Sequence, residues 1–107
     1  MAQGIPEGLA IETVWVVEAA LGPDAAERRA PVRAEHLRRI GDLRASGVVV
    51  EAGAFADMSA SLFIVRAATE EEALAVVRDD VYTRTGVWVS FRARPFGRVA
   101  RADELPR

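Results

Sequence analysis

The fold is decided by the stretch Arg33-Ala-Glu-His36-Leu-Arg-Arg-Ile-Gly-Asp-Leu-Arg-Ala-Ser-Gly47-Val-Val-Val-Glu-Ala-Gly53. Its first part has apolar residues at helical spacing, and Gly47 suits the left-handed conformation that ends a helix. The valine-rich run that follows is typical of a β-strand and closes on a second glycine. The stretch therefore predicts a helix over about 32–46 and a strand over 48–55.

Three more strands and one more helix are predicted on either side of this unit. The run Ile11–Ala20 is β-branched and aromatic, which is typical of a strand. A further strand over Leu62–Ala67 follows the second one after a short connection, so the two should form an antiparallel hairpin. Thr69 to Glu72 matches a capping box and predicts a helix that runs to about Asp79. The last strand is predicted over Val87–Phe96.

The resulting order is β-α-β-β-α-β, the ferredoxin-like arrangement of the α+β class. Right-handed crossovers place both helices on one face of an antiparallel sheet. The strands nevertheless carry many large apolar side chains, and two helices should not cover all of them: Trp15, Val17, Phe63, Val65, Trp88 and Phe91. A large apolar sheet face is typical of a partner interface. We therefore expect a homodimer whose two sheets face each other and enclose a barrel.

Length and composition favour one domain with short extensions. The 107 residues suffice for a single core, expected over 11–97, with a flexible arm over 1–10 and a polar tail over 98–107. The net charge of −2 does not favour nucleic acid as a partner. The apolar runs are too short to span a membrane, and the N-terminus lacks a signal-peptide pattern, so we expect a cytoplasmic protein.

The chemical possibilities centre on one side chain. The chain has a single histidine, His36, with no cysteine and no lysine, which excludes thiolate nucleophiles and Schiff-base chemistry. Imidazole is the one side chain here whose unperturbed proton affinity lies near neutral pH. One histidine among scattered carboxylates has no recognisable metal-ligand spacing. We expect no metal and no cofactor.

A series of short motifs resembles the YciI-like (YCII-related) family over roughly Val14 to Val99. The motifs occur in the family's order and spacing: His36-Leu37 inside a helix, Gly47-Val-Val-Val-Glu-Ala-Gly53, Asp80-Val-Tyr82, Gly86-Val87 and Arg94-Pro95-Phe96. The fold that this resemblance implies is a dimeric α/β barrel, in agreement with the argument from apolar sheet faces.

The resemblance also implies a catalytic pair. The family has a histidine in the first helix and an aspartate after the second, which match His36 and Asp80, and a glycine at the pocket wall, which matches Gly53. This chain has Gly53-Ala54 and Asp80-Val81-Tyr82 where the family commonly has Gly-Pro and Asp-Pro-Tyr. Some relatives are described as dehydrochlorinases of chlorinated hydroxyhydroquinones, which implies an aromatic substrate class.

A histidine–aspartate pair suits proton transfer. A neutral imidazole can take a proton from a substrate and return it, while a carboxylate fixes its tautomer and stabilises the imidazolium. No serine nucleophile motif is present, so isomerisation, elimination and dehydrohalogenation are the reactions that fit. We expect the pocket around His36 and Asp80 to be lined by Trp15, Gly53, Phe63, Ser59, Ser61, Tyr82 and Trp88.

Structural interpretations of the same residues stay open. A histidine at a helix edge is often only a satisfied or surface residue, Asp80 could simply cap the turn before Tyr82, and both tryptophans could belong to a dimer core. Three functions follow from these alternatives. The chain is a small lyase or isomerase, a binding module for a small apolar or aromatic ligand, or an accessory subunit that docks to another protein.

Overall fold

The computed structural model describes residues 4–106 and leaves residues 1–3 and 107 outside the description. Within this range the chain forms four strands and four helices, joined by short 3-10 turns at Ala30–Val32 and Ala102–Glu104. In chain order they are β1 (Leu9–Leu21), α1 (Ala25–Arg29), α2 (Arg33–Ala45), β2 (Val49–Ala54), β3 (Ala60–Val65), α3 (Glu70–Arg78), α4 (Val81–Arg84) and β4 (Trp88–Arg101).

The four strands form one antiparallel sheet in the order β2-β3-β1-β4. The hairpin predicted between the second and third strands is present, with Ala52 opposite Phe63. The two crossovers carry the helices, as the split β-α-β arrangement requires. The predicted α+β, ferredoxin-like fold is confirmed.

Local signals in the sequence set the ends of the helices. Thr69 Oγ1 accepts a hydrogen bond from the Glu72 amide at 3.2 Å, and the Glu72 carboxylate accepts one from the Ala68 amide at 3.0 Å. Gly47 follows α2 with a φ of 84°, the left-handed conformation expected there. The predicted threonine cap and glycine stop are both confirmed, whereas Glu72 binds the Ala68 amide rather than the Thr69 amide that a full capping box requires.

Strands β1 and β4 are longer than predicted. They stay paired from Leu21 opposite Trp88 to Leu9 opposite Arg101, whereas β3 pairs with β1 only over residues 15–20. Residues 9–14 of β1 and 96–101 of β4 therefore form a two-stranded ribbon that projects past β3. The segments expected to be an arm and a tail therefore contribute residues 9–10 and 98–101 to the sheet, and residues 1–3 and 107 of those segments lie outside the described range.

The helix layer covers all six of the large apolar side chains that we did not expect two helices to cover. Val17, Phe63, Val65 and Trp88 are at most 2% exposed, and Trp15 and Phe91 pack half-buried against the same core. The prediction that two helices cannot cover these side chains was wrong. The reason is that α4 adds a third covering segment: its Val81 and Tyr82 are buried in this core beside α2 and α3.

The opposite face of the sheet carries a different apolar set. Val16, Leu62, Ile64, Arg94 and Phe96 lie on this face. Together with Pro95 they line a shallow groove of about 400 Å³. Phe96 is 45% exposed. Among residues 4–106, no helix is long and apolar enough to cross a membrane.

Candidate active site

His36 lies in α2 on the side that faces the sheet. It is 8% exposed and sits one turn before Ile40, the other buried residue of this helix. Residues four apart share a helix face, so the same packing that buries Ile40 holds the imidazole against the core.

Asp80 caps the short helix α4 and is fully buried. Its Oδ1 accepts a hydrogen bond from the Tyr82 amide at 2.9 Å, which is the usual capping contact. This is the structural role that the sequence left open beside the catalytic one. The capping contact fixes the carboxylate at the inner end of the helix, where its remaining lone pairs face α2.

The same carboxylate binds two side chains of α2. His36 Nδ1 lies 2.8 Å from Asp80 Oδ1, and Arg39 Nη1 donates to Oδ2 at 2.9 Å. Burial by itself would raise the pKa of Asp80, but hydrogen bonds from His36, the Tyr82 amide and Arg39 outweigh burial and lower that pKa below its usual value. Asp80 is therefore ionised at neutral pH.

An ionised carboxylate fixes the tautomer of the imidazole. Because Asp80 can only accept, Nδ1 of His36 carries the hydrogen and Nε2 keeps a free lone pair. No group within residues 4–106 hydrogen-bonds Nε2, and the same residues contain no buried polar side-chain atom without a partner. Nε2 is therefore reached by solvent and free to act as a base.

Solvent reaches the imidazole through a cavity of about 230 Å³ between α2, β2 and β3. Its walls are mostly apolar, with two arginines, one serine and one tyrosine among them. The lining residues are Leu21, Arg29, Arg33, His36, Leu37, Ile40, Ala52, Gly53, Ala54, Ser61, Phe63 and Tyr82. A concave, mainly apolar site with a few polar groups is typical of a small-molecule pocket.

Aromatic rings hold the imidazole in place. The Tyr82 ring stacks on His36 with centroids 3.8 Å apart and planes 12° from parallel, and the Trp88 ring meets both edge-on. Burial raises the pKa of the Tyr82 phenol, while the positive charges of Arg29 and Arg33 oppose that rise. The phenol consequently stays protonated at neutral pH and can donate a hydrogen bond.

The structure brings most of the predicted site residues together. Gly53, Ser61, Phe63 and Tyr82 line the cavity with His36, and Trp88 lies behind it, where its Nε1 donates to Ser61 Oγ at 3.2 Å. Two predicted residues lie elsewhere. Trp15 donates to the Ala67 carbonyl at 3.1 Å, and Ser59 is exposed in the β2–β3 loop.

Three arginines of the site were not predicted. Arg39 lies one turn after His36, and that i, i+3 spacing could have placed it beside the same carboxylate. Arg29 and Arg33 line the cavity from the end of α1 and the start of α2. No local pattern distinguishes these two from the chain's other arginines, because only the tertiary fold places them there.

The arrangement provides one base, one hydrogen-bond donor and one buried anion. His36 Nε2 can accept a proton from a molecule in the cavity, Tyr82 can donate a hydrogen bond, and Asp80 stabilises the imidazolium that forms. In the described part of the chain, no three histidine, aspartate or glutamate side chains converge as a metal site would require.

Comparisons with known proteins agree with this structure. The sequence profile of the YCII-related domain matches residues 13–97. No curated protein matches the chain. Among solved structures, the chain resembles 5-chloro-2-hydroxyhydroquinone dehydrochlorinase from Burkholderia phenoliruptrix AC1100, in complex with 2,5-dihydroxybenzoquinone, with 20% identity and a TM-score of 0.64. The alignment covers 76% of this chain and 90% of that one, and at such low identity it shows a shared fold.

Proposed function

This chain belongs to the YCII-related domain family, and we propose that it is a small enzyme that transfers protons on a small aromatic or cyclic organic substrate. His36 and Asp80 are the acid–base pair. The observation that carries the proposal is the geometry of the imidazole: Asp80 holds Nδ1 at 2.8 Å, while Nε2 has no partner within residues 4–106 and meets a cavity.

In the proposed mechanism the substrate lies in the cavity with an acidic C–H or O–H beside His36 Nε2. The imidazole takes that proton, and Asp80 stabilises the positive charge while Arg39 keeps the carboxylate ionised and oriented. The Tyr82 hydroxyl donates to an oxygen of the substrate. The imidazolium then returns the proton to another atom, or a leaving group departs with its bonding electrons.

The reaction class is a lyase, isomerase or dehydrohalogenase. The similar solved structure is a dehydrochlorinase, and its bound molecule is a hydroxylated quinone. Loss of hydrogen chloride requires a base for the proton and no enzyme nucleophile, because chloride leaves with the electron pair of the carbon–chlorine bond. The aromatic walls formed by Phe63 and Tyr82 suit a planar ring.

We also propose that the functional form is a homodimer. The sheet face away from the helices has a groove lined by Val16, Leu62, Ile64 and Phe96, and a second copy of this face supplies matching apolar strands. The projecting ribbon adds exposed apolar side chains, with Ile11 at 51% and Val99 at 69% exposure. Burial of the groove against a partner explains why the sheet is also apolar on the face that the helices leave open.

Sedimentation velocity tests the dimer. The Leu62→Glu change puts a charge in the centre of the proposed interface and should shift the protein from dimer to monomer at micromolar concentration. The Ala34→Glu change, on an exposed position of α2, is the matched control and should leave the dimer intact. A wild-type protein that sediments as a monomer would contradict the proposal.

Proton exchange with solvent tests the enzyme. We would incubate hydroxylated aromatic and enolisable cyclic compounds, together with 5-chloro-2-hydroxyhydroquinone, with the protein in D₂O. Proton NMR then follows exchange of carbon-bound hydrogens, and a chloride assay follows halide release. The wild-type protein should accelerate at least one of these reactions, and His36→Gln, which keeps a polar side chain of similar size, should abolish the acceleration.

Two outcomes would contradict the proposed enzyme. Equal rates for wild type and His36→Gln would show that the imidazole is not the base. Tight binding of these compounds without exchange or chloride release would instead favour the binding-module alternative, because a pocket that recognises a ligand needs no proton transfer.

A further inference from the structure

Most arginines of this protein are neutralised by carboxylates, but those at the cavity are not. Nine of the thirteen arginines in residues 4–106 have a carboxylate oxygen within 4.0 Å. The four that lack one within this range are Arg29, Arg33, Arg38 and Arg92. Two of these four, Arg29 and Arg33, line the cavity that contains His36.

The fold brings these two arginines to one wall. Arg29 is the last residue of α1 and Arg33 the first of α2, and the 3-10 turn Ala30–Val32 joins them. Proline at the centre of this turn fixes its backbone, so the spacing between the two helix ends is rigid. The only side-chain partner of Arg29 within the described residues is the Met58 sulfur at 3.9 Å, a weak contact.

The cavity is therefore electrically positive. Its lining includes no aspartate or glutamate from the described residues, and the nearby Asp80 already binds His36 and Arg39. The side chains of both unpaired arginines and of Tyr82 line this cavity, and the positive charges of the two guanidinium groups oppose the rise that burial causes in the pKa of the Tyr82 phenol. A guanidinium group in a partly dry pocket is well suited to a planar oxyanion, to which it can donate two parallel hydrogen bonds.

We propose that the cavity selects small organic anions, whose carboxylate or ionised enol oxygen is bound by Arg29 and Arg33 while the reacting atom faces His36 Nε2. This inference rests on the proposed function and narrows its substrate class. A cavity of about 150 Å³ suffices for benzene, so the 230 Å³ here has room for one substituted ring. A larger ligand would have to extend past the rim.

The same arginines would assist the chemistry. Removal of a proton from the substrate leaves negative charge that a conjugated ring can spread onto an oxygen. Guanidinium groups already in place beside that oxygen stabilise the charge as it develops, without reorganisation at the moment of reaction. The base and the two cations thus have separate tasks, since His36 removes the proton and the arginines bind the resulting anion.

Binding measurements with matched probes test this inference. Benzoate and 2,5-dihydroxybenzoquinone are the anionic probes, benzamide is the neutral analogue of benzoate, and calorimetry at fixed salt gives the affinities. We expect at least one anionic probe to bind, with benzoate at least tenfold tighter than benzamide if benzoate binds. Arg29→Gln and Arg33→Gln should each weaken anion binding about tenfold, whereas Arg38→Gln, which removes an unpaired arginine outside the cavity, should not.

Three results would overturn the inference. They are no binding of either anionic probe, equal affinity for benzoate and benzamide, or a loss of anion affinity in Arg38→Gln as large as that in Arg29→Gln and Arg33→Gln. Failure of the proposed function looks different. If His36→Gln and wild type show the same exchange rates while anion binding depends on Arg29 and Arg33, the anion site stands and the acid–base role of His36 fails. If exchange depends on His36 but neutral substrates bind equally well, only the anion site fails.

Discussion

Two ion-paired carboxylates, the buried Asp80 and the partly buried Glu12, lie on opposite faces of the same sheet. Asp80 is fully buried beneath the helices and binds His36 and Arg39. Glu12, whose side chain is 13% exposed, lies on the other face between two arginines. Its Oε2 accepts from Arg66 Nε at 2.6 Å, and its Oε1 accepts from Arg98 Nε at 2.9 Å.

The difference between these two clusters shows what makes a candidate site. Both carboxylates have a lowered pKa, so a perturbed pKa alone does not separate them. The partners of Glu12 are guanidinium groups, which stay charged throughout the physiological range. Asp80 has a titratable partner, His36, whose second nitrogen meets a cavity. The Glu12 cluster therefore ties β1, β3 and β4 together, whereas the Asp80 cluster can move a proton.

The largest expected effect is on the rate of proton exchange, which should depend on the Asp80 cluster and not on the Glu12 cluster. Asp80→Asn should slow proton exchange about 10²- to 10⁴-fold, the usual contribution of an acid–base group, because the amide no longer fixes the imidazole tautomer or stabilises its cation. Glu12→Gln, the matched change in the other cluster, should leave the rate unchanged. The D₂O exchange assay measures both variants.

Nitrogen NMR of the single histidine provides a check that does not depend on a substrate. In the wild-type protein Nδ1 should be the protonated nitrogen, and Asp80→Asn should mix the two tautomers because an amide can donate as well as accept. Glu12→Gln should leave the spectrum unchanged. A spectrum that is the same in Asp80→Asn and wild type would mean that Asp80 does not control His36.

The second effect concerns stability and should also differ between the clusters. Asp80→Ala removes a buried partner of His36 and Arg39 together with the cap of α4, and should lower the free energy of unfolding by about 3–5 kcal/mol. Glu12→Ala should cost less, about 1.5–3 kcal/mol, because the Glu12 side chain is 13% exposed whereas that of Asp80 is fully buried. Urea unfolding at neutral pH measures both variants. An equal loss of unfolding free energy would mean that the two clusters do not differ in their contribution to stability.

The smallest expected effect is a loss of stability at acidic pH, to which both clusters should contribute. Burial would raise the pKa of Asp80, but its hydrogen bonds outweigh burial and lower that pKa. The pKa of Glu12 is also lowered, mainly by the hydrogen bond from Arg66. Their unfolded-state pKa values are about 3.9 and 4.3. The stabilisation is therefore complete above about pH 5 and is lost as pH falls through the lower folded-state pKa values.

Urea unfolding between pH 6 and pH 3 measures this loss. Wild type should have a higher free energy of unfolding than Asp80→Asn and Glu12→Gln at pH 6. This difference should shrink steadily as the pH falls below 5, because the variants have no carboxyl to protonate at these positions. A difference that stays constant down to pH 3 would show that the pKa values of these carboxyls are not lowered by the native fold.

The sequence alone located the central pair but not its surroundings. His36 was the only histidine to consider, and the family resemblance supplied Asp80, which is 44 residues away along the chain. Arg29 and Arg33 were missed because their importance depends on which wall they reach. Their neighbours in the sequence give no sign of a cavity.

The lengths and faces of the strands were also harder to predict than their existence. The end of β4 places Arg98 and Arg101 around Val99 and Ala100 and so shows no apolar alternation. Its pairing with β1 includes a bridge from Glu12 to Arg98, which is 86 residues away. Likewise, a strand that is apolar on both sides does not reveal which side the helices will cover. Val17 and Val16 are equivalent in sequence, yet only Val17 lies beneath the helices.

The sequence by itself determined the kinds of elements, their order and several of their ends, including the threonine cap at Thr69 and the glycine stop at Gly47. These features depend on residues within a few positions of one another, so a local pattern suffices to predict them. The tertiary structure decided the covered face, the cavity and the arginines at its wall. These depend on side chains that meet only after the crossovers bring distant segments together.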